Sequence, residues 1–223
     1  MVLGAAGLAG LARAAAPATI LVVGDSLSAE YGLRRGTGWV PLLERKLQDE
    51  KVDARVVNAS ISGDTTSGGR SRLQALLTQH RPTHVILELG GNDAMRGLPL
   101  SMTQENLAQM TQAAQQAGAQ VLLLGIQMPP NYGADYGAKF TAMYEDIARR
   151  FKAAVVPFFL HGVADVPGAE KLFQPDRIHP TEQAQAQLLA NVWPELRKLL
   201  GAPEPRAGTR PAASKPPAGG SKP

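Results

Sequence analysis

Three side chains at widely separated positions have the types that nucleophilic chemistry needs: Ser26, Asp176 and His179. A serine hydroxyl attacks poorly at its free pKa, so it requires a base, a group that orients the base, and donors for a developing oxyanion. Ser26 stands in Gly24-Asp25-Ser26-Leu27-Ser28, directly after the apolar run Thr19-Ile20-Leu21-Val22-Val23. Of four histidines only one is placed as its base. His179, in Asp176-Arg177-Ile178-His179-Pro180, has a carboxylate three residues upstream that can take Nδ1–H and leave Nε2 for a serine. His80 and His84 flank Pro82, which denies them the shared helical face of a metal pair. His161 follows Phe158-Phe159-Leu160, and all three read as surface or capping residues.

The elements that must position these residues alternate along the chain. Helical spacing of Val40, Leu43 and Leu47 predicts a helix over 39–50, and Val56 and Val57 centre a strand over 54–59. A helix over 67–80 ends before Pro82, and a buried strand over 84–89 runs into Gly90-Gly91-Asn92-Asp93. Then come a helix over 101–116, a strand over 121–124, a helix over 134–151, a strand over 154–157 and a last helix over 181–200. Alternating strands and helices joined by right-handed crossovers make an α/β fold, a three-layer flavodoxin-like arrangement: a parallel five-stranded sheet with helices on both faces. Ser26, Gly63 and Asn92 fall just past the first three strands, where the carboxyl ends of such a sheet form a crevice.

The chain has 223 residues, enough for one large core. Its formal charge of +4 belongs to its ends. Arg13 lies in the first sixteen residues; Arg206, Arg210, Lys215 and Lys222 against Glu204 lie in 202–223, and the part between has eighteen basic and eighteen acidic residues. A neutral body gives no electrostatic argument for nucleic acid. Residues 1–16 are nearly all Ala, Gly, Leu and Val and end in Ala14-Ala15-Ala16, which fits a cleaved export signal and a periplasmic or secreted location. The run is too short to span a bilayer, so no stable membrane insertion follows processing. Residues 17–201 are then the folded domain, expected to be a monomer. Residues 202–223 hold no leucine, isoleucine, valine or aromatic residue and are expected to be a disordered tail. Absence of cysteine excludes disulfides, a thiol nucleophile and thiolate metal sites.

Four blocks in order, Gly24-Asp25-Ser26-Leu27-Ser28, Asn58-Ala59-Ser60-Ile61-Ser62-Gly63-Asp64-Thr65, Gly90-Gly91-Asn92-Asp93 and Asp176-x-x-His179, resemble the SGNH (GDSL) hydrolase family. The match is to its periplasmic branch of multifunctional acyl-CoA thioesterases, lysophospholipases and arylesterases. The resemblance implies Ser26 as nucleophile, His179 as general base and Asp176 as its orienting carboxylate. It also implies an oxyanion hole of the Ser26 and Gly63 N–H groups and the Asn92 side-chain amide. Acyl transfer from small acyl esters or thioesters by this route needs no cofactor and no metal. No Gly-x-Ser-x-Gly surrounds Ser26, which argues against the ordinary α/β-hydrolase elbow. Asp25 and Asp93 read as loop braces, while Asp64 has either role. Met95, Leu98 and Pro99, in the segment that moves over the acyl chain in that family, and Met128 and Tyr132 are the candidate substrate walls. The rivals are a carbohydrate O-deacetylase, disfavoured by 5% aromatic content, and a non-catalytic flavodoxin-like binding module, which leaves Asp176 and His179 without a task.

Overall fold

In the computed structural model, which describes residues 17–201, the apolar runs form a five-stranded parallel sheet in the order β2-β1-β3-β4-β5. The strands are β1 (Ala18–Gly24), β2 (Ala54–Asn58), β3 (His84–Glu88), β4 (Gln120–Leu124) and β5 (Ala154–Val156). The helices are α1 (Trp39–Asp49), α2 (Thr66–His80), α3 (Gly91–Met95), α4 (Leu100–Gln116), α5 (Ala134–Phe151) and α6 (Gln185–Leu199). The expected leader over 1–16 and tail over 202–223 lie outside the described residues.

Alternation of side chains along each strand builds the two outer layers. On β1, Leu21 and Val23 face Leu73, Leu107, Met110 and Phe140 of α2, α4 and α5. Ile20 and Val22 face Trp39, Leu43, Leu188 and Val192 of α1 and α6. Every residue of β3 is buried, and its centre, Val85-Ile86-Leu87, is a continuous apolar run, as suits a strand covered on both faces. Each such Leu, Val or Ile contributes about 1.5–3 kcal/mol by leaving water. Chain order reverses between β1 and β3, and at that switch point the carboxyl ends open a crevice.

One expectation is corrected. The last helix begins later than Thr181: Glu182–Ala184 is a 3₁₀ turn, and the α-helix starts at Gln185. Just past β3, Gly90-Gly91-Asn92-Asp93 opens the one-turn helix α3. Gly90 makes that entry possible. Its φ of 125° suits only glycine, and an added Cβ would stand 2.4 Å from Tyr144 Oη. Of the two roles read for His84, surface or capping, the structure gives capping, from a buried position. Its Nε2 lies 3.2 Å from Leu199 O at the end of α6, so it caps from inside the fold, and burial lowers its pKa.

Candidate active site

The loop that carries Ser26 is tied down on both sides of the serine. Asp25 Oδ1 accepts the Leu27 N–H at 3.0 Å, an Asx turn that lifts Ser26 between them. Beneath it, Glu88 at the end of β3 accepts the Asp25 N–H and the Ser28 hydroxyl on one oxygen, at 3.2 and 2.7 Å. Trp39 Nε1 donates to the same hydroxyl at 3.2 Å, so α1 is fastened to the loop as well. Glu88 is fully buried. Burial, and then the nearby Asp25 charge, push its carboxyl well above the ordinary range. Burial also raises Asp25, to about 6, against the opposing pull of the Leu27 N–H and the His179 charge.

His179 arrives from the far end of the chain. A hairpin-like closure presents it: Gln174 N–H donates to His179 O at 2.8 Å, Thr181 N–H donates to Leu172 O at 2.8 Å, and Arg177 takes the left-handed φ of 60° at the tip. His179 Nε2 lies 2.8 Å from Ser26 Oγ, and Nδ1 lies 2.7 Å from Asp176 Oδ2. The other Asp176 oxygen accepts the N–H groups of Ile178 and His179 at 2.9 and 3.1 Å. Partial desolvation of Asp176 opposes its ionisation, but the Ile178 N–H and the two His179 donors outweigh that and hold it at about 2. Asp176 is therefore a fixed anion. The Tyr31 ring lies over His179 with centroids 4.4 Å apart and limits the imidazole's swing. With Nδ1–H held by a carboxylate, Nε2 is left as the basic nitrogen that can take the serine proton.

Gly63 and Asn92 meet at the same crevice. Gly63 has a φ of 79°, open to glycine at no steric cost, and its carbonyl accepts Arg96 Nη2 at 2.7 Å. Neither the Ser26 N–H nor the Gly63 N–H has a hydrogen-bond acceptor among the described residues. Asn92 Nδ2 donates to Asp25 Oδ2 and to Asp64 O, both at 3.0 Å, so its two amide hydrogens are engaged within the protein. Asp25 and Asp93 brace loops, Asp93 by accepting the Thr66 N–H at 2.9 Å. Asp64 braces too, through an ion pair with Arg72 at 2.8 Å.

A cavity of about 250 Å³ opens at Ser26, with walls that are mostly aliphatic. Met95, Met128 and Tyr132 line it as expected from their positions. Leu98 lines instead a neighbouring cavity of about 350 Å³ that shares Met95 and Tyr132. Pro99 lines neither; it precedes the first turn of α4, where its carbonyl accepts the N–H groups of Met102 and Thr103. Sequence reasoning missed Ile126, Leu160, Ala164, Phe173 and the Tyr31 ring. Ile126 was within reach, since it follows β4 as Ser26 follows β1; the others sit in irregular chain with no periodicity to read. Among the described residues no group of three or more His, Asp or Glu is placed to hold a metal.

The sequence profile described as the GDSL-like Lipase/Acylhydrolase family matches residues 22–187. Esterase TesA of Pseudomonas aeruginosa is 54% identical over 190 residues, 85% of this chain and 93% of the relative. Thioesterase 1/protease 1/lysophospholipase L1 of Escherichia coli K12 is 44% identical over 188 residues, 84% of this chain and 88% of the relative. The crystal structure of the psychrotrophic esterase EstA from Pseudoalteromonas sp., inhibited by monoethylphosphonate, superposes with a TM-score of 0.77 at 42% identity, covering 82% of this chain and 98% of that one.

Proposed function

The chain belongs to the GDSL-like lipase/acylhydrolase family, and from that premise we propose that it hydrolyses acyl esters and thioesters through an acyl-enzyme on Ser26. The observation that carries the assignment of residues is the continuous Asp176–His179–Ser26 relay, 2.7 and 2.8 Å per step, at the floor of an apolar cavity. Ser26 Oγ bonds to the substrate carbonyl carbon while its proton passes to His179 Nε2. The carbonyl electron pair moves onto oxygen, where the free N–H groups of Ser26 and Gly63 receive it. Asn92 joins them by exchanging its bond to the Asp64 carbonyl for one to the oxyanion, a charged and therefore stronger acceptor. Its second bond, to Asp25, holds the amide in place meanwhile. Collapse of the intermediate breaks the C–O or C–S bond, and the leaving group takes the proton from His179. Water then attacks the acyl-enzyme, gives its proton to the same nitrogen, and frees the acid and Ser26.

Aliphatic walls at Leu27, Met95, Ile126, Met128, Leu160 and Ile178 suit an acyl chain longer than acetyl. They offer a sugar few stacking surfaces, which disfavours the deacetylase alternative. Aryl esters, acyl-CoA thioesters and lysophospholipids all present such a chain on a scissile carbonyl. The composition of residues 1–16 supports export to the periplasm or medium, and amino-terminal sequencing of the mature chain, with a new start near Pro17, tests it. No described helix is long and apolar enough to cross a membrane. A monomeric state is tested by light scattering. For the reaction, p-nitrophenyl ester hydrolysis by Ser26→Ala is expected to fall by about 10⁴ or more; an unchanged rate overturns the assignment. A panel of acyl-CoA, lysophospholipid and p-nitrophenyl esters of graded length, run on one preparation, ranks the substrates.

A further inference from the structure

Gly68 and Arg72 stand four residues apart on α2 and therefore share one face of that helix. The face lies against the turn that carries Gly63. A Cβ on Gly68 would overlap Asp64 Oδ1, so this glycine makes room for the carboxylate of the residue that follows Gly63. Arg72, whose side chain is only 20% exposed, closes on the same carboxylate: Nε donates to Asp64 Oδ2 at 2.9 Å, and Nη2 lies 2.8 Å from that oxygen. Its other contacts reach the ends of two strands. Nη1 donates to the Ala59 carbonyl just past β2, and Nη2 donates to the Gly24 carbonyl at the end of β1, at 3.5 Å.

Each of these contacts falls beside a part of the oxyanion hole. Gly24 is two residues from Ser26, Asp64 follows Gly63, and the Asp64 carbonyl is the resting acceptor of Asn92 Nδ2 at 3.0 Å. Backbone bonds complete the frame: the Ile61 N–H donates to Gly24 O at 3.0 Å, and the Asp64 N–H to Ile61 O at 3.1 Å. One side chain thus ties the strand that leads to Ser26, the Gly63 turn and the residue on which Asn92 rests. Arginine suits the place, because its planar fork holds several donors at fixed relative positions, whereas a lysine ammonium is one charge on a flexible stem. Electrostatics favour a cation here too. Asp25 and Asp93 are answered by neutral donors, the Leu27 N–H and Asn92 Nδ2 for the first, the Thr66 N–H and the Thr66 and Thr103 hydroxyls for the second. Asp64 is instead balanced by a full positive charge, so its carboxylate does not oppose the negative charge that develops beside Gly63.

We propose that Arg72 is a positioning residue of the oxyanion hole: its guanidinium fork sets the Gly63-Asp64 turn against the end of β1, and so fixes where the Gly63 N–H and the Asn92 amide stand relative to Ser26. Arg72 does not line the cavity at Ser26 and acts through Asp64. Its effect on turnover rests on the proposed hydrolase reading; the geometry it enforces does not.

Arg72→Lys keeps a charge opposite Asp64 and removes the fork. Its kcat on p-nitrophenyl butyrate should fall about tenfold with KM within about twofold of wild type, the loss expected of displaced transition-state donors. Gly68→Ala, which pushes Asp64 off the fork while favouring the helix, should reproduce that pattern by a second route. Leu76→Ala, on the same helix but packed on the apolar layer, is the structural control: it should lower Tm and leave kcat at room temperature unchanged. In an Asn92→Ala background, Arg72→Lys should cost no more than about threefold, because both act on one hole. Wild-type kcat in both Arg72→Lys and Gly68→Ala, an equal loss from Arg72→Lys in both backgrounds, or a kcat loss in Leu76→Ala matching that of Arg72→Lys would each overturn the proposal. Amide ¹H–¹⁵N spectra give a readout that needs no turnover: the Gly63 N–H and the Asn92 side-chain amide should shift in Arg72→Lys and not in Leu76→Ala, and unmoved signals in Arg72→Lys would overturn the proposal as well. A wild type that hydrolyses no ester while those signals shift as expected would overturn the hydrolase reading and leave the positioning role of Arg72 intact.

Discussion

Among the described residues two aspartate–histidine pairs are built alike. His161 Nδ1 lies 2.7 Å from Asp165 Oδ2, and His179 Nδ1 lies 2.7 Å from Asp176 Oδ2. Both partners are three or four residues away in irregular chain after β5, and both carboxyls are held below the ordinary range. Asp165 is lowered by His161 and then by the Gly162 N–H, and Asp176 by the donors described above. The difference lies at the other ring nitrogen. His161 is 70% exposed, with its second nitrogen toward water, whereas His179 is 15% exposed, meets Ser26 Oγ and is covered by Tyr31. A local carboxylate–imidazole pair is thus easily made and does no chemistry by itself. What makes one of them a base is a contact across 153 residues of sequence.

The largest effect that separates the pairs is removal of each histidine. His179→Ala should lower kcat on p-nitrophenyl butyrate by about 10⁴, and Asp176→Asn by about as much, because the wrong tautomer no longer presents a basic Nε2. His161→Ala should stay within about twofold of wild type. If the two alanine variants lost activity equally, the distinction drawn here would fail.

Next in size is the oxyanion donor that only one pair has within reach. Asn92→Ala should reduce kcat by about 10²–10³ with KM little changed. Unchanged turnover in a folded variant would remove Asn92 from the mechanism. Tyr31→Ala tests the cover over His179, and a loss of roughly tenfold in kcat is expected, since a small misplacement of a catalytic group is costly. Among the described residues no ring lies against His161, and a KM effect alone would assign Tyr31 to substrate contact instead.

The smallest effect concerns stability and distinguishes the exposed Asp165 from the buried acids under Ser26. Asp25 titrates near 6 in the fold instead of 3.8, and Glu88 is displaced upward too. Between about pH 4 and 6 the folded chain therefore holds protons that the unfolded chain has released, and these two groups weaken the fold as pH rises. Asp176 acts in the opposite sense, supporting the fold above the ordinary carboxylate range and losing that support as pH falls toward 2. Glu88→Gln removes a buried carboxyl whose ionisation the site disfavours, so thermal melts should show a higher Tm at pH 8, by about 2–4 °C per kcal/mol regained, and a flatter profile from pH 4 to 8. A lower Tm at pH 8 would mean that Glu88 works as an anion. Asp165→Ala should leave the Tm close to that of the wild type at both ends of this range.

Much of this was legible from the chain alone. The strand-end positions of Ser26, Gly63 and Asn92 follow from apolar runs ending in polar, glycine-bearing segments, and the second helix's end follows from Pro82 and the first helix's place from its apolar spacing. The wall residues were legible only in part. Met95, Met128 and Tyr132 were reached through their distance from a motif, but the same reasoning included Pro99, which caps the start of α4 instead. Leu160, Ala164 and Phe173 lie in the irregular stretch between β5 and α6, where no period of 2 or 3.6 tells an inward side chain from an outward one.

Sequence by itself determined the alternation of strands and helices, the four ordered blocks and hence the family, because local patterning and residue chemistry are written in consecutive positions. Only the tertiary structure decided which aspartate–histidine pair meets a serine, that both Asn92 amide hydrogens are already engaged, and that Met95, Tyr132 and Ile178 come together at the Ser26 cavity. Those facts depend on distances between residues tens to more than a hundred positions apart, and such distances are set by how the sheet is ordered and how its layers pack. A dipeptide pattern carries no record of them.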